Sequence, residues 1–204
     1  MEHLTEVLST GSRSLGLELS GVELTALEQH LHLLAKWNAK LNLVGPGTIE
    51  SWAARHTLDS LAVAEWIRDG AAVVDVGSGA GFPGIPCAVV RPAATLVLIE
   101  PRAKRAAFLQ SVIAETGLRN ATVHMARAES EAERFELVMG RAVASPIKWA
   151  ALATRLCAPG GGFVLYASEA PPTSLGTAER MRIKAYDGGQ GQERMVALYV
   201  PRGT

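Results

Sequence analysis

The sequence predicts an α/β fold built on a mostly parallel β-sheet. An apolar run at residues 71–76 contains Asp75 and is followed by glycines at alternate positions, Gly77, Gly79 and Gly81. Strand-like and helix-like segments then alternate along the chain. This alternation is typical of a parallel sheet with helices on both faces. Glycines directly after a buried strand allow a sharp turn and close approach of a ligand to the backbone.

Residues 1–68 are predicted to form a helical N-terminal extension, and residues 69–204 the α/β domain. Ser20 and Glu23 have the spacing of a capping box, which indicates the start of a helix at residues 20–43. The leucines of this segment recur at helical spacing. A shorter helix is expected near residues 3–15, and a further helical stretch over residues 49–68.

Seven strands are predicted, the last two forming an antiparallel hairpin. The hairpin signal is DGGQG at residues 187–191, between strand-like runs at 182–186 and 193–200. The other predicted strands cover residues 71–76, 95–99, 121–124, 135–140 and 162–167, with helices near residues 84–91, 102–116 and 146–157.

The composition indicates a globular protein with a full core. The 204 residues are 48% apolar and 20% charged, and no apolar run approaches the roughly 18 residues that span a bilayer. The N-terminus lacks a signal-peptide pattern. Cys87 and Cys157 have no metal-ligand spacing and are expected to be buried thiols in a reducing cytoplasm. We therefore expect a cytoplasmic protein without a metal, a membrane or an obligate partner subunit.

Formal charge is zero, but it is unevenly distributed. Residues 1–35 hold five acids and one base, so the remainder carries about four excess positive charges. This asymmetry leaves the α/β domain mildly attractive to anions.

The loop at residues 77–84 is expected to hold a nucleotide-like cofactor. Its glycines also match the dinucleotide fingerprint, although such a match alone is weak. Asp75 followed by Gly-x-Gly-x-Gly is instead typical of S-adenosylmethionine-dependent methyltransferases. Pro83 and Pro86 remove backbone donors that a pyrophosphate would use. Glu100, at the end of the next strand, suits a ribose in either case. A tight turn without a ligand is the remaining alternative.

Five motifs in one order make a more specific pattern. Together they resemble the RsmG (GidB) family of bacterial 16S ribosomal RNA guanine-N7 methyltransferases, over about residues 20–200. The motifs are WNAKLNL at 37–43, RHTLDSL at 55–61, DVGSGAGFPGIP at 75–86, RAE at 127–129 and GRAVA at 140–144. One departure is YASE at residues 166–169, where family members commonly have Lys-Gly. The missing lysine's contact is then absent or supplied elsewhere, with Lys148 and Lys184 as candidates.

The resemblance implies S-adenosyl-L-methionine as cofactor and 16S ribosomal RNA, or the small ribosomal subunit, as partner. The loop backbone would contact the methionine and ribose of the cofactor, Glu100 the ribose, and residues 128–129 the adenine. The implied cofactor-binding residues are Asp75, Gly77, Ser78, Gly79, Gly81, Phe82, Glu100, Ala128, Glu129 and Arg141.

Arg141 and His56 are the candidate catalytic residues. Arg141 interrupts an apolar run, which favours burial near a ligand over a surface salt bridge. Guanine N7 carries no proton to remove, so alignment and desolvation matter more than acid–base chemistry. The RHTLDS segment is expected to form one helix face that borders the pocket, with Arg55 and Asp59 as i, i+4 neighbours, or else only to fix the N-terminal helices.

The remaining candidates are expected to bind substrate. Asn38 and Asn42, one turn apart, fit RNA binding and backbone capping equally. Lys104 and Arg105 lie at the start of the helix predicted near residues 102–116, where positive charge opposes the helix dipole. This placement suggests phosphate contact, with a solvated helix face as the alternative. The predicted substrate-binding residues are Asn38, Lys40, Asn42, Arg55, Asp59, Ser60, Lys104 and Arg105.

Three other functions are compatible with the sequence. The charge neutrality fits a methyltransferase of small molecules or proteins. The glycine loop also fits a dinucleotide-dependent oxidoreductase. The missing lysine fits a non-catalytic RNA-binding module.

Overall fold

The chain begins with two long helices. The computed structural model describes residues 2–188 and 192–203. Helix α1 spans Glu2–Ser14 and α2 spans Gly21–Leu41. The Ser20 hydroxyl accepts a hydrogen bond from the Glu23 amide, and the Ser20 amide donates to the Glu23 carboxylate at 2.7 Å. The predicted capping box is therefore confirmed.

The predicted helical stretch at residues 49–68 consists of short pieces. Helix α3 (Ile49–Trp52) leads into a π-helical turn at Ala53–Thr57, then α4 (Leu58–Leu61) and a 3₁₀ turn at Ala64–Trp66. A π turn holds more residues than an α turn, so side chains four apart no longer share a face across it. This phase shift sets the direction of the Arg55 side chain described below.

One mixed sheet forms the centre of the α/β part. Its parallel strands are β1 (Ala72–Val76), β2 (Thr95–Ile99), β3 (Ala121–His124), β4 (Phe135–Met139) and β5 (Cys157–Ala167). The antiparallel strands are β6 (Ser174–Leu175), β7 (Ala178–Asp187) and β8 (Glu193–Pro201). Their order in the sheet is β3-β2-β1-β4-β5-β8-β7-β6. Helices α5 (Gly84–Val90), α6 (Ala103–Thr116) and α7 (Pro146–Leu156) connect the parallel strands. The predicted fold class, a mostly parallel sheet ending in an antiparallel hairpin, is confirmed.

The strand count differs from the prediction. Within the described residues the sheet has eight strands rather than seven, because Ser174 and Leu175 pair with β7 at its edge. Two residues are too few to produce a periodic pattern in the sequence. Strands β5 and β7 also begin several residues earlier than predicted. The predicted hairpin turn lies partly outside the described residues, at positions 189–191.

The core joins the two predicted parts of the chain. Leu8, Leu27 and Leu31 of the N-terminal helices are fully buried and belong to the same apolar cluster as Ile85 and Leu96. The division at residue 68 therefore stays a prediction about sequence pattern. Among the described residues, no helix is long and apolar enough to cross a bilayer.

Candidate active site

The glycine loop follows β1 at the carboxyl edge of the sheet. Gly77, Gly79 and Gly81 have φ values of 69°, 52° and 88°, the left-handed region that favours glycine. At Gly81 an added Cβ would also lie 2.7 Å from Ile85 Cγ1. The sequence places glycine where the backbone turns sharply. The loop therefore turns sharply at the edge where open α/β sheets bind ligands.

Asp75 holds this loop through two hydrogen bonds. Its Oδ2 accepts a hydrogen bond from the Gly84 amide at 2.9 Å, and its backbone carbonyl accepts one from the Ser78 hydroxyl at 2.9 Å. The other carboxylate oxygen, Oδ1, is buried without a hydrogen-bond partner in the described structure. Burial raises the pKa of Asp75 to about 7, although the Gly84 hydrogen bond opposes the rise. An unpaired buried oxygen is costly, which is a reason to expect a ligand group nearby.

Glu100 directly follows β2 and lies beside the same loop. Its Oε2 accepts from the Gly79 amide at 3.0 Å and its Oε1 accepts from the Arg102 amide at 2.9 Å. Each carboxylate oxygen has a second lone pair, so these bonds leave acceptor capacity for a hydroxyl. The predicted acid is thus brought to the glycine loop and is oriented by two backbone donors.

His30 was not predicted, yet it contacts the loop directly. It is fully buried in α2, and its Nε2–H donates to the Ala80 carbonyl at 2.8 Å. The ring centroids of His30 and Phe82 are 4.9 Å apart. The ring of His56 also contacts Phe82, with centroids 5.3 Å apart. The sequence signal was available, because His30 interrupts the apolar face formed by Leu27 and Leu34. A polar residue on a buried helix face needs a specific partner.

Arg141 is held by the segment that carries the RHTLDS motif. Its guanidinium donates to Asp59 Oδ2 at 3.0 Å and to the His56 carbonyl at 3.4 Å, and contacts His56 Nδ1 at 3.3 Å. The Arg141 side chain is 18% exposed and that of Asp59 is 2% exposed. The arginine is therefore a largely buried ion-pair partner, rather than part of a surface salt bridge.

His56 is neutral at physiological pH. Burial, reinforced by the positive charges of Arg141, Arg55 and Arg194, lowers its pKa to about 4. Since the Arg141 guanidinium donates to Nδ1, that nitrogen must be an acceptor, and the ring proton lies on Nε2. His56 therefore orients Arg141 as a neutral hydrogen-bond acceptor.

The backbone around Arg141 is strained. Ala142 has φ of 54°, an unfavourable value for a residue with a Cβ. At Gly140, an added Cβ would lie 2.9 Å from both Trp149 and Val143. Such conformations persist only when surrounding structure fixes them, and they cluster at functional sites. The strain supports a functional role for the side chain that this turn presents.

A cavity of about 630 Å³ opens beside Arg141 at the carboxyl end of β5. Tyr166 lies on one side, its ring centroid 5.6 Å from the Arg141 guanidinium carbon. Tyr186 donates from its hydroxyl to Asp59 Oδ1 at 3.2 Å, and Arg194 donates to Asp59 Oδ2. The volume falls within the range of small-molecule sites, roughly 300–1,000 Å³.

Sequence reasoning missed Tyr166, Tyr186 and Arg194 as site residues. Each lies on a C-terminal strand far along the chain from Asp59, and no local pattern links them. Of the two lysines considered as replacements, Lys184 donates to Glu65 and to the Leu15 carbonyl, at 2.9 and 3.1 Å. It therefore ties β7 to the N-terminal helices.

Two predicted pocket residues point elsewhere. Arg55 donates to the Ser51 and Pro46 carbonyls instead of facing Asp59, because the π turn changes the helical phase. Ser60 is fully buried, and its hydroxyl donates to the His56 carbonyl at 2.6 Å. Ser60 is thus a packing residue rather than the predicted border of the pocket.

Asn38 and Asn42 form the end of α2. Asn38 Oδ1 accepts from the Val44 amide at 2.9 Å, so its carbonyl oxygen caps the backbone. Asn42 adopts φ of 48°, which asparagine tolerates better than most residues. Of the two roles predicted for these residues, the structure gives Asn38 the capping one.

The other predicted contacts lie around the loop. Ala128 is buried and Glu129 exposed in a 3₁₀ turn after β3. Lys40 and Lys104 are exposed on α2 and α6, and Arg105 approaches the glycine loop. The structure describes no group of His, Cys, Asp and Glu side chains that could hold a metal ion in residues 2–188 and 192–203.

The fold matches that of known methyltransferases. A SAM-dependent methyltransferase from Aquifex aeolicus superposes with a TM-score of 0.57 at 14% identity, covering 83% of this chain and 97% of that one. M. jannaschii TYW2 in complex with AdoMet gives 0.57 at 15% identity, over 70% and 74% of the two chains. The sheet, the glycine loop and the acids Asp75 and Glu100 at the ends of β1 and β2 define a methyltransferase-type fold.

Sequence comparison identifies the family within that class. The family model described as rRNA small subunit methyltransferase G matches residues 23–187. Proteins named ribosomal RNA small subunit methyltransferase G are similar to the chain. The one from Myxococcus xanthus is 34% identical, over 94% of each chain. The one from Nitrosococcus oceani is 35% identical, over 83% of this chain and 79% of the relative. The chain belongs to the GidB family, rRNA small subunit methyltransferase G.

Proposed function

We propose that this protein transfers a methyl group from S-adenosyl-L-methionine to N7 of the guanine at position 527, in a loop of 16S ribosomal RNA. The observation that carries the proposal is the family match over residues 23–187. N7 faces the major groove, which is too narrow in A-form RNA for protein side chains. An unpaired loop guanine meets this constraint.

The glycine loop fits the proposed cofactor. The three left-handed glycines allow the close approach of a ligand to the loop backbone, and the buried Asp75 Oδ1 lacks a partner in the described structure. The loop from Gly77 to Phe82 would hold the methionine and ribose portions, Glu100 the ribose hydroxyls, and Ala128 with Glu129 the adenine. When bound, the cofactor supplies an electrophilic methyl group on a sulfonium sulfur.

Arg141 and His56 act by position and charge rather than by proton transfer. Guanine N7 offers a lone pair with no proton, so the reaction needs no general base. A neutral His56 suits that requirement, because it holds Arg141 through Nδ1 without adding a positive charge to the site. Arg141 provides donors beside the cavity that we assign to the acceptor nucleotide.

The cavity beside Arg141 suits a nucleobase better than a phosphate. The guanidinium groups of Arg141 and Arg194 are offset by the carboxylates of Asp59 and Glu193 in its lining. Tyr166 adds an aromatic wall, and aromatic side chains stack on unpaired bases. The exposed Lys40 and Lys104 and the partly buried Arg105, with Asn42 and Arg55, would contact RNA outside this cavity.

The activity implies its partner and location. We propose that the protein acts in the cytoplasm on 16S ribosomal RNA, either free, in an assembly intermediate or in the small subunit. We propose that it acts as a monomer.

The experiment is a transfer assay with labelled S-adenosyl-L-methionine and three acceptor classes. The acceptors are small subunits that lack the methyl group, a protein extract and a pool of metabolites. We expect label in 16S RNA alone. Label in protein or metabolites, with RNA unlabelled, would contradict the proposal and move the chain to a different acceptor.

A further inference from the structure

A second cavity lies between helices α2 and α6 and shares no lining residue with the Arg141 cavity. It measures about 490 Å³ and is lined by Lys36, Trp37, Lys40, Leu41 and Lys104. The Trp37 ring packs edge-on against Phe108 of α6, with centroids 5.8 Å apart. Lys104 lies one turn before Phe108 on the same face. We call this feature the α2–α6 groove.

The groove gathers unneutralised positive charge. Lys36, Lys40 and Lys104 are all exposed, and no carboxylate lines the groove. Within residues 2–188 and 192–203, these lysines make no ion pair or hydrogen bond. Lys36 and Lys40 are also an i, i+4 pair of like charges, which mildly destabilises an isolated helix. An anionic ligand would turn this repulsion into attraction.

The charge is a local concentration in a neutral chain. The whole sequence has 20 basic and 20 acidic residues. Residues 29–49 contain two lysines and no acid, and residues 101–114 contain three cations and no acid. The groove is therefore built from two acid-free segments that the fold brings together.

The basic surface continues toward the cofactor loop. Arg102, exposed, and Arg105, partly buried, follow at the start of α6. Arg105 Nη1 lies 3.7 Å from the position that a Cβ on Gly79 would occupy. A strand lying in the α2–α6 groove would thus approach the edge of the sheet where the glycine loop lies.

We infer that the α2–α6 groove binds the phosphodiester backbone of RNA, outside the nucleotide that is methylated. The inference rests on the proposed function, which makes RNA the substrate. Lysine ammonium groups suit phosphate as point charges, and neutralising phosphates releases condensed counterions. Trp37 gives the groove a partly exposed aromatic residue, a feature of sites for single-stranded nucleic acid. The Arg141 cavity then receives the base, and the groove holds the flanking strand.

The test measures RNA affinity as a function of salt. The probe is a fluorescent RNA hairpin with the sequence of the target loop of 16S RNA. The groove variant is Lys36→Gln/Lys40→Gln/Lys104→Gln. The control variant, Arg13→Gln/Arg119→Gln/Arg182→Gln, removes the same charge from exposed positions elsewhere. A third variant, with all three groove lysines changed to arginine, keeps the charge.

The groove variant is expected to bind the hairpin roughly 10- to 100-fold more weakly, with the slope of log affinity against log salt smaller by about 2. The control and arginine variants should keep most of the affinity, and all should bind S-adenosyl-L-methionine like the parent protein. Equal affinity and slope in groove and control variants would overturn the inference. Polyglutamate serves as a second probe, for an acidic protein. If the groove variant loses binding to polyglutamate and still binds RNA normally, the inference is also overturned, because the occupant would then be an acidic protein.

The two proposals fail separately. If the parent protein methylates RNA and the groove variant binds it normally, the groove is wrong and the proposed function stands. If the parent methylates no RNA while the groove variant alone loses RNA binding, the groove stands and the proposed function is wrong.

Discussion

Replacing His30 by glutamine tests how α2 supports the cofactor loop. The imidazole is fully buried, with Nε2–H bonded to the Ala80 carbonyl at 2.8 Å and Nδ1 without a partner in the described structure. Burial lowers its pKa from 6.5 to about 4, although the bond to Ala80 opposes the shift. Glutamine keeps an N–H donor and removes the titrating group.

The pH dependence has a definite sign. Between pH 6.5 and 4 the unfolded chain takes up a proton at His30 that the folded chain does not. The free energy of unfolding therefore falls as pH falls through this window, and it is fully restored above it. The shift is worth about 3 kcal/mol in total, of which about 2 kcal/mol is lost between pH 7 and pH 5.

Urea unfolding followed by circular dichroism, at pH 7 and pH 5, measures this difference. The parent protein should lose about 2 kcal/mol more than His30→Gln on going to pH 5. His56 and Asp75 titrate in both proteins, so their contributions cancel in the comparison. Equal pH dependence in the two proteins would refute the reasoning, since it would mean that His30 is not held neutral by burial.

Three substitutions test the rest of the site. Gly79→Val places a β-branched residue at φ 52°, which costs about 1–2 kcal/mol or more, and it adds a side chain to the loop that we expect to hold the cofactor. Calorimetry should detect no cofactor binding. Normal affinity in a folded variant would contradict the loop assignment. Arg141→Ala should lower kcat about 100-fold, with a smaller effect on stability, and full activity would exclude its role. Asp59→Asn leaves the guanidinium groups of Arg141 and Arg194 facing a neutral amide. Because these side chains are only 18% and 30% exposed, urea unfolding should show that the free energy of unfolding falls by about 2 kcal/mol. An unchanged free energy of unfolding would mean that the ion pairs are solvated.

The sequence predicts the parts of this fold that depend on local patterns. The capping box at Ser20, the buried run before Gly77 and the strand–helix alternation are all short-range signals, and each appears in the structure. The π turn at Ala53–Thr57 and the two-residue β6 have no such signal. Both depend on tertiary packing, which overrides local preference.

The same difference between local patterns and tertiary packing decides which parts of the site could be predicted. The glycine loop and Glu100 could be found because consecutive residues and strand ends define them. Asp59 and Arg141 could be singled out, but their contact with each other and with Tyr186 and Arg194 could not, because these residues come from separate strands and loops. Arg55 was misplaced for a local reason, since helical spacing assumed an α turn where the chain forms a π turn. How the cofactor and RNA contact the predicted residues stays a prediction.

Mapping the methylated position on the RNA tests the central claim most directly. Small subunits lacking the modification would be incubated with the protein and S-adenosyl-L-methionine, and the RNA would be analysed for nucleosides and cleaved chemically at 7-methylguanosine. We predict 7-methylguanosine as the sole new nucleoside and a single cleavage at position 527. A methyl group on another atom, on another nucleotide or on many guanines would contradict the account.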